Sequence, residues 1–412
     1  MTVLRQPGPD DAWLTDVLRP GDLVVVAQGA GEPTPLLEQL VRCGHAVPDL
    51  EVFVGLSHSD VLRQPAAREL SLVSFGAMGP LARLAADGAV SVIPCNFSDV
   101  PRLLEFRAPE RIVVVLQVSA PDADGFHSLG LAVDYTYELV TCARAVVAEV
   151  NDQLPVTSAP RLHRSQFTAV VPTSRPTPEV KTGAVGEVHR RIAGHVASLV
   201  EDGATVQLGV GALPSVVAMA LTAKRDLRVH STLVGTWLCE LARARALCTD
   251  PGSVVISEAA GSQALYDHVA SSAVQVRPVG ELTRPDVLAG IVRFVAMNSA
   301  LQVDLSGQVN AEELGSGYVG GVGGQPEFLR AAQRSTGGRS IVMLPATAVG
   351  GRESRIVRRL HAGAVTTPRS GVDFVVTEFG IVDLRGRSLA ERADGLVGVA
   401  APHHRDALRT AS

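Results

Sequence analysis

The chain is poor in aromatic residues, which make up 4% of its 412 positions, so its core must be built from Val, Leu, Ala and Ile. With 46% hydrophobic residues overall, that composition suits buried parallel strands and the helices that cover them. Cysteine is scarce too: Cys43, Cys95, Cys142, Cys239 and Cys248 form no CxxC pair and no Cys/His cluster at zinc spacing. This odd, scattered set reads as reduced thiols in a cytoplasmic protein and offers no metal site. The N-terminus lacks a cationic start followed by an apolar run, and no apolar stretch approaches the span of a bilayer. Neither a signal peptide nor a membrane helix is expected. Charge of one sign is not in excess either. A net charge of -5 leaves no electrostatic footprint for nucleic acid or an anionic membrane.

What the sequence does have is a recurring alternation of short β-branched runs and helix-like segments. Leu23 to Ala27, Glu51 to Leu56, Ala89 to Pro94, Arg111 to Val118 and Ala145 to Val150 are nearly all apolar, as strands buried on both faces are. Pro35 to Cys43 and Leu81 to Ala86 read as helices between them. Val171 to Glu187 is rich in Pro, Thr and Gly with no apolar period, and reads as the crossing between two domains. After it, His189 to Leu199 has an amphipathic helical pattern. Strands follow at Thr205 to Val210, Arg228 to Val229, Ser253 to Ser257, Gln275 to Pro278, Gln302 to Leu305, Ser340 to Leu344 and Val372 to Thr377. The expected fold class is α/β, with two domains of open, largely parallel sheets: residues 1–175 and 188–412, joined by a linker over 176–187.

At a length of 412 residues the chain is too long for one ordinary core, which agrees with that division. In open α/β sheets the ligand crevice lies outside the carboxyl ends of the strands. Four glycine-containing segments fall at such places: Gln28 to Pro33 (QGAGEP), Gln117 to Gly130 (QVSAPDADGFHSLG), Leu208 to Pro214 (LGVGALP) and Gly317 to Phe328 (GYVGGVGGQPEF). Glycine there permits close backbone approach to a ligand, and successive free N–H groups can hold an anion. Singly, each is a tight turn as readily as a site. GVGG lacks the Lys-Ser/Thr of a P-loop, and LGVG lacks the final glycine of a dinucleotide fingerprint.

Together the blocks are more specific. QVSAPDADGFHSLGLAVDYT, DGATVQLGVGALPSVV, NSALQVDLSGQVNAE, GGVGGQPEFLRAA, SRIVRRLHAGAVTT and DFVVTEFGIVDLRGRSL occur in that order. The series resembles the acetyl-CoA hydrolase/transferase family, which includes 4-hydroxybutyrate and acetate CoA-transferases, from about Gly21 to about Arg405. The resemblance implies two CoA-transferase-type α/β domains with an active site in the cleft between them. It also implies acyl-CoA as substrate, no metal, and a homo-oligomer. It further implies a ping-pong reaction in which a glutamate attacks the thioester and becomes a glutamyl-CoA intermediate. By resemblance, oxyanion donors lie near Val210 and Gly211 and near Gly323 and Gly324, with Gln325 beside them as a CoA-binding candidate.

The resemblance fails at its nucleophile. Relatives read roughly His-Thr-Glu where this chain has His230-Ser231-Thr232, and no acidic residue lies between Asp226 and Glu240. Gly235-Thr236-Trp237 replaces a Ser-Asp-Gly-like run, so Trp237 is a candidate pocket aromatic. A threonine cannot form a carboxylate anhydride, and its hydroxyl needs an adjacent base to act as a nucleophile. His230, two residues away, would share a strand face with Thr232, with Cα atoms roughly 7 Å apart. The ordinary alternatives are a hydrogen-bonded strand residue for His230 and a neutral filler for Thr232.

Other candidates are Glu258, at a position where relatives are usually apolar, and His127, a general base for water or a surface-loop histidine. Glu258 is either a solvated strand end or a relocated acid. Gly31, Glu32 and Ser128 are substrate-pocket candidates, and Glu378, like Glu32, matches an acidic position common in the family. Arg352, Arg355, Arg358 and Arg359 cluster in GRESRIVRRL, where guanidinium groups suit the phosphates of CoA, with Arg355 the candidate, as readily as they suit a solvated helix face; were the segment helical, the last three would share a face. Three readings follow. The first is thioester hydrolysis or acyl transfer to a small-molecule acceptor without glutamyl-CoA. The second is a non-catalytic acyl-CoA-binding homologue or partner subunit, and the third is a carboxylate CoA-transferase using Glu258.

Overall fold

The short Val- and Ile-rich runs form two largely parallel sheets. The computed structural model describes residues 13–315, 317–360 and 363–409, and the backbone of Val3–Leu4. The chain divides into two units, Met1–Val180 with Val255–Leu282, and Lys181–Val254 with Thr283–Ser412. Each is an α/β assembly.

In the first unit eight strands lie in the order Val3–Leu4, Ala169–Thr173, Ala145–Asn151, Ile112–Ser119, Leu23–Val26, Glu51–Val54, Ser71–Ser74 and Val90–Val92. All seven pairings are parallel. Ile112–Ser119 is buried at every position, which is why its sequence is apolar without alternation. From Leu23–Val26 the chain builds outward to one edge, then returns through Ile112–Ser119 and builds toward the other. The order therefore reverses between these two central strands, and QGAGEP leaves the first of them at that switch point.

In the second unit the strands run Arg228–Val234, Thr205–Leu208, Phe294–Ser299, Arg339–Met343, Phe374–Thr377 and Gly380–Asp383. All pairings are parallel except the last. The first five give the doubly wound order 2-1-3-4-5, with the reversal beside Thr205–Leu208, the strand that feeds LGVG.

Several sequence expectations need correction. Ser71–Ser74, Ala169–Thr173 and Phe294–Ser299 are strands that the apolar pattern did not isolate. Phe294–Ser299 is central, but only Ala300 and Leu301 separate it from the strand Gln302–Asp304, so the two read as one run. The GRESRIVRRL arginines do not lie on a helix: Glu353–Ser354 and Ile356–Val357 are short strands. The amphipathic helix spans Glu187–Ser198 and buries Ile192, Ala193 and Val196. Residues 174–186 carry no regular element.

Candidate functional site

In the second unit, Leu208 ends its strand and Gly211, at φ +114°, opens the helix Ala212–Ala220. That backbone conformation is reserved for glycine, which explains the residue. The Ser231 hydroxyl donates to the Leu208 carbonyl at 3.1 Å, which ties the residue before Thr232 to the end of the strand that feeds LGVG. The Trp237 indole N–H donates to the Gly209 carbonyl at 2.9 Å. A Cβ on Gly235 would lie 3.0 Å from Trp237 Cδ1 and 3.5 Å from Val210 Cγ1. Gly235 and Trp237 thus form one device: glycine leaves the space and the indole fills it, holding the LGVG loop. Trp237 is 2% exposed, so its ring is a buried support of this loop.

Thr232 is half-buried on the strand Arg228–Val234, and alternation sets it on the same side as His230. His230 is buried and stands edge-on to Phe294, ring centroids 6.2 Å apart. Phe294 in turn meets Phe328 of the helix Gln325–Arg334, the helix that GVGG opens. Gly323 has φ +55° and open space at its Cβ position, whereas a Cβ on Gly324 would lie 2.9 Å from Phe328. Gln325 is buried, and its amide donates to Thr367 Oγ1 at 3.1 Å, so that side chain is committed within the unit.

The sequence reading missed Glu312. This buried carboxylate accepts from Thr366 Oγ1 at 2.7 Å and from the Tyr318 hydroxyl, while its carbonyl takes the N–H groups of Val319 and Gly320. It anchors the start of the segment that becomes GVGG. Its only sequence signal is the Asn-Ala-Glu that precedes that segment.

Arg355 pairs through its backbone on both sides, its N–H to the Ala346 carbonyl and its carbonyl to the Val303 N–H, each at 2.9 Å. Burial lowers the pKa of its half-buried guanidinium, and the Glu378 charge opposes that shift. Glu378 Oε2 also accepts from the Ala346 N–H at 2.8 Å, so it fixes this loop.

In the first unit the QGAGEP loop is buried from Gln28 to Glu32 and held on several sides. Gln28 donates its backbone N–H to Asp134 Oδ2 at 2.6 Å and its side-chain amide to Glu258 Oε1 at 2.8 Å. Its amide oxygen accepts from the Leu56 N–H at 2.9 Å, and the Gly29 N–H returns to the Leu56 carbonyl at 2.8 Å. Gln117 donates to the Ala30 carbonyl at 3.0 Å, and Arg175 to the Glu32 carbonyl at 2.8 Å. Gly31 packs closely, since a Cβ there would meet the Ala132 methyl at 3.2 Å.

Glu258 is 1% exposed, inside the strand Val254–Ala259, which overturns the expectation of a solvated strand end. Burial first, then the neighbouring Asp134 charge, push its carboxyl well above the usual carboxylate range. Asp134 is pushed up to about 6, chiefly by burial, against the hydrogen bonds from Thr136 and Gln28. Glu32 is likewise raised by burial, with the Ser57, Ser59 and Thr34 hydroxyls and Arg175 opposing. Glu32 Oε2 and Ser57 Oγ are both buried without a hydrogen-bond partner.

His127 is no surface-loop histidine: it is 5% exposed on the strand Phe126–Ser128, with Nδ1 donating to the Ser119 carbonyl at 2.7 Å. Ser128 is buried beside it, its N–H donating to Ser119 Oγ and its hydroxyl accepting from the Gly130 N–H. The structure thus groups the candidates within each unit. Val210, Gly211, Thr232 and Trp237 surround one loop, Gly31, Glu32 and Glu258 surround another, and His127 with Ser128 forms a third cluster. Among the described residues no group of three or more His, Cys, Asp or Glu is placed to hold a metal ion, and no helix is long and apolar enough to cross a membrane.

Comparison with known proteins agrees with this architecture. Residues 13–161 match the acetyl-CoA hydrolase/transferase N-terminal domain, and residues 261–412 match the C-terminal domain of the same family. The chain is 35% identical to a 4-hydroxybutyrate coenzyme A transferase of Clostridium kluyveri over 395 residues, covering 93% of this chain and 92% of that one. RipA from Yersinia pestis superposes with a TM-score of 0.88 at 31% identity, over 98% of this chain and 96% of that one. A 4-hydroxybutyrate CoA-transferase from Porphyromonas gingivalis gives 0.81 at 33% identity, over 98% and 96% respectively. With both halves of the chain matched in order, and its glycine loops at the switch points of two parallel sheets, the protein belongs to the acetyl-CoA hydrolase/transferase family.

Proposed function

We propose that this family member is an enzyme acting on an acyl-CoA thioester by direct attack, without a glutamyl-CoA intermediate. The observation that carries the proposal is Thr232, an uncharged hydroxyl beside the LGVG loop where the resemblance puts a glutamate. Water, or the hydroxyl or amine of a small acceptor, attacks the thioester carbonyl. The carbon–sulfur bond breaks, the attacking group loses its proton, and CoA leaves as the thiol. Val210 and Gly211, with Gly323 and Gly324, supply backbone N–H groups for the tetrahedral oxyanion. Coenzyme A enters as the carrier of the acyl group, and no metal takes part in this scheme.

The glycine geometry supports the reading. Gly211 keeps its φ of +114°, and the positions of Gly323 and Gly211 leave the backbone uncovered by side chain. The alternative of a relocated nucleophile loses support from burial: Glu258 is 1% exposed and already bonded to Gln28, whereas a nucleophile must reach the thioester. Release of free CoA from a panel of acyl-CoA thioesters, with and without acetate, tests the proposal. Release that acetate does not stimulate supports it, and undiminished acetate-dependent CoA exchange contradicts it. CoA binding without any turnover would instead favour the non-catalytic, partner-subunit reading.

A further inference from the structure

The second unit carries an arginine-lined cleft that the thioester scheme does not use. One part has a volume of about 450 Å³ and is lined by Asp304, Ser306, Gln308, Arg358, Arg359 and Arg369. It continues past Arg358 and Arg359 into a space of about 760 Å³ that also meets Asp394 and Arg409.

One wall is built and rigid. Asp304 Oδ1 accepts from the Ser306 N–H and hydroxyl and from the Gln308 N–H, and Oδ2 accepts from the Gln308 amide. Gln308 Oε1 then receives an Arg369 N–H at 3.3 Å. Behind this wall the Arg392 guanidinium clamps the carbonyls of Arg369 at 2.8 Å and Ser306 at 3.3 Å. Gly307 gives it room: at φ +96°, a Cβ there would lie 3.0 Å from Arg392 Nη1. The other wall supplies Arg358 and Arg359, which follow the strand Ile356–Val357.

The charges do not balance within the cleft. Among the described residues neither Arg358, Arg359 nor Arg369 forms an ion pair with a carboxylate. Asp304, the acid in the first part, has both oxygens occupied by the wall's own donors. Arg409 pairs outward with Asp406, which leaves Asp394 as the remaining acid of the second part. Guanidinium groups gathered around a concavity repel one another unless an anion joins them, and they match phosphate oxygens bidentately.

We propose that this cleft binds a phosphate-bearing small anion, with Arg358 and Arg359 closing on it from one wall and Arg369 from the other. The anion is either the phosphate end of coenzyme A or a separate phosphorylated metabolite. The inference stands independently of the thioester reading, because its test reads binding alone.

Calorimetry of the full chain with pyrophosphate tests it, beside the variant Arg358→Gln/Arg359→Gln and the single Arg359→Gln, whose side chain is exposed and carries little folding risk. We expect saturable binding that weakens with salt and falls by about tenfold or more in the double variant. Gly307→Ala, which crowds Arg392 and shifts the wall, should also weaken it. If CoA displaces pyrophosphate and the double variant binds CoA more weakly but pantetheine unchanged, the anion is CoA's phosphate end. If CoA and pyrophosphate bind together, the site belongs to a separate metabolite. No saturable binding, or equal affinity in the folded variants, overturns the proposal and leaves thioester turnover untouched.

Discussion

Gln28 and Glu258, 230 positions apart in sequence, meet through a 2.8 Å hydrogen bond in which the glutamine amide donates to the buried carboxyl. The same glutamine donates its backbone N–H to Asp134, so a single residue bridges two buried acids. Glu258 therefore acts on the QGAGEP loop as a fixed partner inside the fold.

This bridge makes stability depend on pH in a defined direction. Burial raises the Asp134 carboxyl to about 6, and burial with the Asp134 charge raises Glu258 well above the carboxylate range. Both groups bind protons more tightly folded than unfolded, so their stabilisation is fully present below the unfolded carboxylate pKa of about 4. It is lost as pH rises, through about 6 for Asp134 and through the raised pKa of Glu258. Thermal melts from pH 4 to 8 should show this decline. Glu258→Gln, neutral at every pH, should flatten it and gain about 1–2 kcal/mol over the native chain at the alkaline end.

Gly29 sets a second test on the same loop. Its φ is +60°, and a Cβ there would lie 2.9 Å from Glu258 Oε2. Gly29→Ala should cost about 1–3 kcal/mol. Because part of that cost is the collision, it should shrink when Glu258→Ala is added, so the two changes will not sum. Denaturant titrations of the two single variants and the double measure the coupling.

Trp237 makes a comparable claim for LGVG. Trp237→Phe keeps the ring but removes the N–H that serves the Gly209 carbonyl. A stability loss of about 1–2 kcal/mol is expected, together with slower thioester turnover as the loop loses its support. Melting temperature and kcat, measured on the same preparation, report the two effects.

Thr232→Glu should restore the missing carboxylate beside LGVG. Incubated with acyl-CoA, this variant is expected to accumulate a covalent CoA adduct and to show more acetate-dependent exchange than the native chain. Intact-protein mass and an exchange assay check both.

Much of the fold was legible because strands buried on both faces must be apolar throughout: Ile112–Ser119 stands out from sequence on that ground alone. Phe294–Ser299 did not, since its neighbour in sequence is another strand two residues on. The return of Val255–Leu282 to the first unit leaves no mark in composition, because buried strands and helices look alike in either unit. The glycine loops were visible as breaks in the pattern. Their supports were harder to see: the Gln28–Glu258 bond and the Glu312 anchor join residues whose pairing no local spacing records. GRESRIVRRL misled because three arginines at helical spacing carry no information about the β pairs that Arg355 makes with Val303 and Ala346.

The most direct test of the central claim is the intact mass of the native chain after incubation with a panel of acyl-CoA thioesters, read beside free CoA in the same tubes. Free CoA appearing while the protein mass stays unchanged is the result expected of direct attack. A CoA-sized adduct on the native chain would contradict it, since some carboxylate would then be doing the work that Thr232 cannot.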